Sequence, residues 1–242
     1  MYKKPYFSIK EYKKLIHFFK KLEYKFVFFS ESIKKNKNII LRHDVDIDIS
    51  KAYEMAVIEK SLKIKSTYFF LTTSKLYNCL EKSNRDMIKK ISDLGHQIGL
   101  HFDLSNLKKN SFKKNEKKFD LEKRILENCI GREIKTISFH KPGINGIPKG
   151  IYYNEMINVY SSIFIKKILY YSDSKGDWRF GIPTKDKNIL DNKKSIQLLI
   201  HPVWWISKKK YTSLNNSLLL KSSLKNNYSD KFNYLQSYKK FN

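Results

Sequence analysis

Chemistry in this chain is concentrated where apolar runs end at a histidine or an aspartate. Histidines stand at 17, 43, 96, 101, 140 and 201, and apolar runs ending at Leu41, Leu100 and Ile200 lead into His43, His101 and His201. Asp44, Asp46, Asp103, Asp173 and Asp177 lie in the same kind of segment. A single histidine at a strand end is more often a structural hydrogen-bonder than a ligand. A set of them among aspartates points to a site. Asp44 and Asp46 are two apart, so on a strand their side chains leave the same face. Two carboxylates on one face repel unless a cation or a proton lies between them. One can then hold a metal while the other acts as base toward water. His43 and His101 are compatible with that site, and His with Asp is a usual ligand mixture for Zn²⁺ and related metals.

The elements that carry these residues alternate. Ser8 and Glu11 form a capping-box pattern before Tyr12, Leu15, Ile16 and Phe19, which predicts a helix over Ile9 to Leu22. A short strand is expected around Phe26 to Ser30, then strands at 39–46, Thr67 to Thr73, Gln97 to Asp103, Thr136 to His140, Leu169 to Ser172 and Ile196 to His201. Helices are expected over Ser50 to Leu62, Asp86 to Leu94 (closed by Gly95), Ser111 to Cys129 and near Asn154. Strands alternating with helices imply parallel connections, and in a parallel β/α barrel the C-terminal strand ends share one face. The expectation is a distorted β/α barrel of about six or seven parallel strands. Residues 1–37 form an N-terminal helix and strand packed on it, 38–206 the barrel, and 207–242 a closing helix and tail.

With its motifs in this order, the sequence resembles the polysaccharide deacetylase superfamily, carbohydrate esterases that remove N-acetyl groups from sugars. The resemblance covers about Asn38 to Trp205. Leu41-Arg42-His43-Asp44-Val45-Asp46 is similar to the first motif, which implies Asp44 as base and Asp46 as metal ligand. Gly95-His96-Gln97-Ile98-Gly99-Leu100-His101 resembles the second, whose last His binds metal. Phe139-His140-Lys141-Pro142 resembles the third, where a basic residue, here Lys141, orients the base. The segment Ser172 to Arg179 stands where the fourth supplies an acidic partner and an aromatic wall. Leu198-Leu199-Ile200-His201-Pro202 resembles the fifth, whose His is the general acid.

There are departures. Val45 separates the paired acids, Ser105 stands where a second metal His is usual, and Lys141 replaces an Arg. Completing Asp46 and His101 falls to His43, His96, Asp103 or His140, with His43 placed in the metal set. The resemblance thus implies a divalent metal, zinc first, with catalysis by Asp44, His201, Asp173 (or Asp177 in its place) and Lys141. His140, Trp178, Arg179 and Trp204 are expected to meet the substrate. The pattern looks like a divergent branch found among surface-polysaccharide biosynthesis proteins. The expected substrate is an N-acylated amino sugar, nucleotide- or lipid-linked. A catalytically inactive glycan-binding protein is the alternative, with Ser105 in its favour.

Composition narrows the rest. Cys79 and Cys129 are far apart, lack metal-ligand spacing and fit a reducing compartment. The first 29 residues carry lysines throughout without the apolar stretch and cleavage site of a signal peptide, so a cytoplasmic location is expected. Lys+Arg 49 against Asp+Glu 23 gives +26, yet arginine occurs only at 42, 85, 124, 132 and 179. Scattered lysines accompanied by Asn, Ile and Tyr read as codon bias on solvated faces. No specific nucleic-acid partner is expected, while peripheral contact with an anionic membrane stays open.

Overall fold

A strand that runs from Asn38 to Val45 without one exposed residue has to be covered on both faces. In the computed structural model, which describes residues 7–31, 37–106, 115–142, 147–191 and 194–206, it is the centre of a curled sheet. In chain order the elements are α1 (Ile9–Lys21), β1 (Lys25–Phe26), β2 (Asn38–Val45), α2 (Ile49–Ser61), β3 (Thr67–Phe70), α3 (Lys82–Asp93), β4 (Gln97–Asp103) and α4 (Glu116–Ile130). They continue with β5 (Thr136–His140), β6 (Tyr152–Tyr153), β7 (Met156–Asn158), α5 (Ser162–Lys166), β8 (Leu169–Ser172), α6 (Lys187–Leu190), β9 (Ile196–Ile200) and α7 (Pro202–Trp205).

The strands form one nine-stranded sheet ordered β6-β7-β5-β4-β3-β2-β9-β8, with β1 added beside the start of β2. Every pairing among the described residues is parallel except β6 with β7. This is a distorted β/α barrel, curled but not closed, since β6 and β8 stand at opposite ends of the order.

Two-residue alternation sorts the side chains. Ile39 and Leu41 of β2 pack with Ile196, Leu198 and Ile200 of β9 and with Tyr12, Ile16 and Met55 of the covering helices. Tyr68, Leu100 and Ile137 do the same against α2, α3 and α4. The residues between them, including Ile40 and Phe69, fill the inner face. Gly99 is needed there, because a Cβ would lie 2.4 Å from the Phe69 ring. On α1, Tyr12, Leu15, Ile16 and Phe19 are buried, each contributing about 1.5–3 kcal/mol. A charge at Ile16 would break that seam.

Caps fix the helices that follow the site strands. Asp48 Oδ1 accepts from Ser50 N at 2.9 Å, a cap two residues after Asp46 that starts α2 at Ile49. Glu81 accepts from Ser83 N and Asn84 N at 3.0 Å, so α3 begins four residues before the expected Asp86. Gly95, at φ 97, closes α3 as expected. Ser8 caps α1 through Glu11 N at 3.3 Å, but the Glu11 carboxylate takes Lys14 at 2.8 Å in place of the reciprocal bond.

Three expectations need correction. The segment near Asn154 is no helix: Asn154 and Glu155 adopt φ 48 and 63 and turn β6 back onto β7, the mirror-type turn that tight hairpins need. The strand from Thr67 stops at Phe70, and Leu71 N is taken by Tyr77 Oη at 2.9 Å. The strand expected to reach Ser30 ends at Phe26. The closing helix from 207 and the start of the lysine-rich helix, at 111–114, lie outside the described residues. No described helix is long and apolar enough to cross a membrane.

Candidate active site

Arg42 and Asp44 share the inner face of β2. The guanidinium holds both carboxylate oxygens, donating from Nε to Oδ1 and from Nη2 to Oδ2, each at 2.8 Å. Arg42 is itself fully buried. It also donates to Ser138, to Tyr160 Oη at 2.9 Å and to Gln197 Oε1 at 3.4 Å, and lies 4.6 Å from the Tyr160 ring centre. Burial alone would push the Asp44 carboxyl up, but the Arg42 charge outweighs it and holds Asp44 below the ordinary carboxylate range. Asp44 is therefore ionised and fixed in direction.

Asp46 lies just past the end of β2, where the adjacent strands deliver two histidines. Its Oδ1 is 3.2 Å from His101 Nε2 on β4 and 3.4 Å from His140 Nδ1 on β5. The donor atoms of the three lie within 4.8 Å of one another. Asp46 Oδ1 and His101 Nδ1 are buried with no hydrogen-bond partner among the described residues. Burial would raise the Asp46 carboxyl, yet the close imidazoles of His101 and His140 and the charges of His101 and His201 hold it well below its usual range. A carboxylate oxygen between two imidazole nitrogens, close but poorly aligned for hydrogen bonding, is a donor set for a divalent cation. One carboxylate and two histidines suit zinc. The residues present fit such an ion.

His201 follows β9 and faces the same point. Its Nδ1 donates to Asp173 Oδ1 at 2.6 Å, and its Nε2 lies 3.8 Å from Asp46 Oδ2. Asp173 is fully buried and accepts three more bonds, from His201 N at 3.1 Å (Oδ1) and 3.0 Å (Oδ2) and from Trp205 Nε1 at 2.7 Å. Burial disfavours the imidazolium, but the Asp173 charge prevails and pushes His201 up to about 9. Of the two acids expected to orient His201, Asp173 does so. Asp177 accepts from its neighbour Trp178 N at 2.9 Å.

Two cavities meet at these groups. The smaller, about 340 Å³, has an apolar wall of Val45, Ile47, Val203 and Trp204. The larger, about 440 Å³, is lined by His101, His140, Lys141, Tyr160, Lys175 and Arg179, among others. Asp44, Asp46, Lys175 and His201 border both.

Several expected roles change. His43 leaves the opposite face of β2 from Asp44 and is fully buried, with Nδ1 3.2 Å from Ile200 O and Nε2 2.7 Å from Glu59 Oε1. Both ring nitrogens are engaged on that face, away from Asp46. The residue grouped with Asp46 and His101 is His140, one of the four candidates for that place and also expected to meet substrate. His96 packs into the same buried network through Ser66 Oγ at 2.8 Å. Lys141 does not orient Asp44; Arg42 does, and Lys141 lines the larger cavity. Trp178 borders neither cavity and packs 6.3 Å from Phe7 and 6.0 Å from Trp205. Arg179 borders the larger cavity and Trp204 the smaller. Asp103 accepts from Ser105 N at 2.8 Å. Sequence reading passed over Arg42 and Glu59. For Arg42 the signal was available, because it stands two residues before Asp44 on one strand.

No protein-family profile matches the chain, and neither does any curated protein. Among solved structures it is similar to a CE4 family pseudoenzyme from Bacillus anthracis at 16% identity, covering 79% of this chain and 62% of that one, with TM-score 0.48. The chain thus spans less than two thirds of that protein. It is also similar to a family 4 carbohydrate esterase from Bacillus anthracis (15% identity, 88% and 86% covered, TM-score 0.43). A third similarity is to the chitin deacetylase of the fungal pathogen Colletotrichum lindemuthianum (17% identity, 78% and 81% covered, TM-score 0.49).

Proposed function

We propose that the chain is a metal-dependent hydrolase that removes an N-acyl group, acetyl in the simplest case, from an amino sugar of surface-polysaccharide biosynthesis. The observation that carries this reading is the convergence of a fixed carboxylate, a three-donor metal site and an Asp-paired histidine on one cleft.

Asp46, His101 and His140 would hold the ion. When bound, a divalent ion polarises the amide carbonyl and acidifies water, which suits a base as weak as the Arg42-paired Asp44. Asp44 accepts the proton of the attacking water, its oxygens aimed by the guanidinium fork. His201 carries its Nε2 proton toward the cleft while Nδ1 stays on Asp173, so it protonates the departing amine. The apolar wall of Val45, Ile47, Val203 and Trp204 receives the acyl group and excludes water from it. The larger cavity receives the sugar.

Acetate release from an N-acetylated amino sugar by the full chain supplied with zinc tests the reading. Release that stops on chelation and returns with zinc is expected. No release from any N-acetylated mono- or oligosaccharide, despite bound metal, would leave a glycan-binding protein as the better description.

A further inference from the structure

The larger cavity is rich in cations. Lys141, Lys175 and Arg179 all line it. Its acidic lining residues, Asp44 and Asp46, are already engaged, the first by Arg42 and the second by His101 and His140. Neither Lys141 nor Arg179 makes an ion pair with a carboxylate among the described residues. In Lys141 and Arg179 the cleft therefore offers positive charge that its own acids do not take up, before any metal is counted.

The position of these cations is tied to the site. Lys141 follows His140 directly at the end of β5. Lys175 sits in the 3-10 turn Ser174–Gly176 that follows Asp173, and Gly176 N closes that turn on Asp173 O at 2.9 Å. Arg179 N is bonded to Ser172 O at 3.1 Å, which folds its segment back over the end of β8. Lys141 is thus anchored beside His140, Lys175 on the turn after Asp173, and Arg179 against the strand end that leads into Asp173. Next to them stands Phe180, a large apolar side chain left 58% exposed, with its ring 5.3 Å from that of Tyr170. An exposed aromatic ring beside a group of cations is a platform for a flat or apolar group attached to an anion.

We infer that Lys141, Lys175 and Arg179 form a phosphate subsite, so that the substrate is a phosphate-linked N-acylated amino sugar. This rests on the reading of the cleft as a sugar site, and it explains charge that codon bias leaves without a place. Nucleoside diphosphate and lipid diphosphate carry the same anion. Phe180 would stack on a base in the first and meet the lipid chain in the second.

Calorimetric titration of the full chain tests the inference without requiring turnover. The probes are N-acetylglucosamine, its 1-phosphate, and N-acetylglucosamine joined to uridine diphosphate or to a short-chain isoprenyl diphosphate. The 1-phosphate is expected to bind at least about tenfold tighter than the free sugar, the worth of one charge-assisted hydrogen bond. The doubly substituted Lys175→Gln, Arg179→Gln protein is expected to lose that preference, binding the 1-phosphate no tighter than it binds the free sugar. A further gain with the uridine compound that Phe180→Ala removes identifies a nucleotide source, and the same gain confined to the isoprenyl compound identifies a lipid source. Equal affinity for free and phosphorylated sugar, no binding of the phosphorylated sugar, or a preference untouched by the double substitution overturns the subsite. If the phosphorylated sugars bind as expected but release no acetate, the subsite stands and the hydrolase reading fails.

Discussion

Arg42 and Asp44 show how the same pair of side chains serves stability and chemistry. Two opposite charges in the sheet interior are tolerable because each satisfies the other through two short hydrogen bonds. Replacing Arg42 by Gln strands the Asp44 charge and is expected to cost about 3–5 kcal/mol, read as a lower melting temperature. Arg42→Lys keeps the charge but loses the fork, so Asp44 is held by one point. Turnover is then expected to fall about 10²-fold, with a smaller change in melting. Wild-type turnover in a folded Arg42→Lys protein would show that the direction of Asp44 does not matter. At His201 the conservative change is Asn, which also suits the N-cap position before Pro202 and so spares α7. His201→Asn is expected to lower turnover about 10²–10⁴-fold with melting within a few degrees of wild type. Near-normal turnover would remove His201 from the proton-transfer step. At this scale the sequence was legible wherever strand parity was applied. It placed Asp44 and Asp46 on one face. The same parity puts Arg42 with them and His43 behind, and the resemblance to a motif obscured both.

Behind the site, Glu59 joins four elements. It accepts from His43 Nε2 on β2 at 2.7 Å, from Tyr68 Oη on β3 at 2.7 Å and from Tyr12 of α1, while its own helix is α2. Ser66 Oγ donates to it at 2.6 Å and links it to His96. Burial would raise this carboxyl, but the His43 charge and hydrogen bond, with His96 and Ser66, lower it from 4.5 to about 2. A depressed carboxyl stabilises the folded chain above its unfolded value and loses that stabilisation as pH falls through the folded one. Glu59→Gln is therefore expected to melt below wild type at neutral pH, with the gap narrowing as pH falls from about 4.5 toward 2. Thermal denaturation of both proteins across that range checks the sign, and a gap that widens in acid would contradict the network. Element by element, helices α1, α2 and α3 and the strands of the sheet followed from apolar periodicity. The hairpin at Asn154 did not, because a two-residue turn in the left-handed region leaves only a weak mark in sequence. Glu59 was invisible as well: a lone acid on a mixed helix face gives no sign of what it meets across 40 residues of chain.

For the whole molecule, the barrel class was legible from the alternation of strands and helices, but the metal set was not. Which histidine completes Asp46 and His101 depends on strand order and register. In the sheet β4 lies between β3 and β5, and Asp103 pairs with His140, which sets His140 at the last position of β5, near Asp46. No spacing along the chain between 46 and 140 encodes that approach. Direct pairing of β9 with β2 also places His201 beside that centre. The account therefore stands on one assembled centre drawn from three strands, and zinc titration of the full chain tests it most directly. One equivalent per chain is expected for wild type. Affinity should fall by at least about 10²-fold in His140→Ala, more than outer partners of ligands usually cost, while the fold is retained. Absence of zinc binding in wild type, or equal affinity in His140→Ala, would contradict the assembled centre.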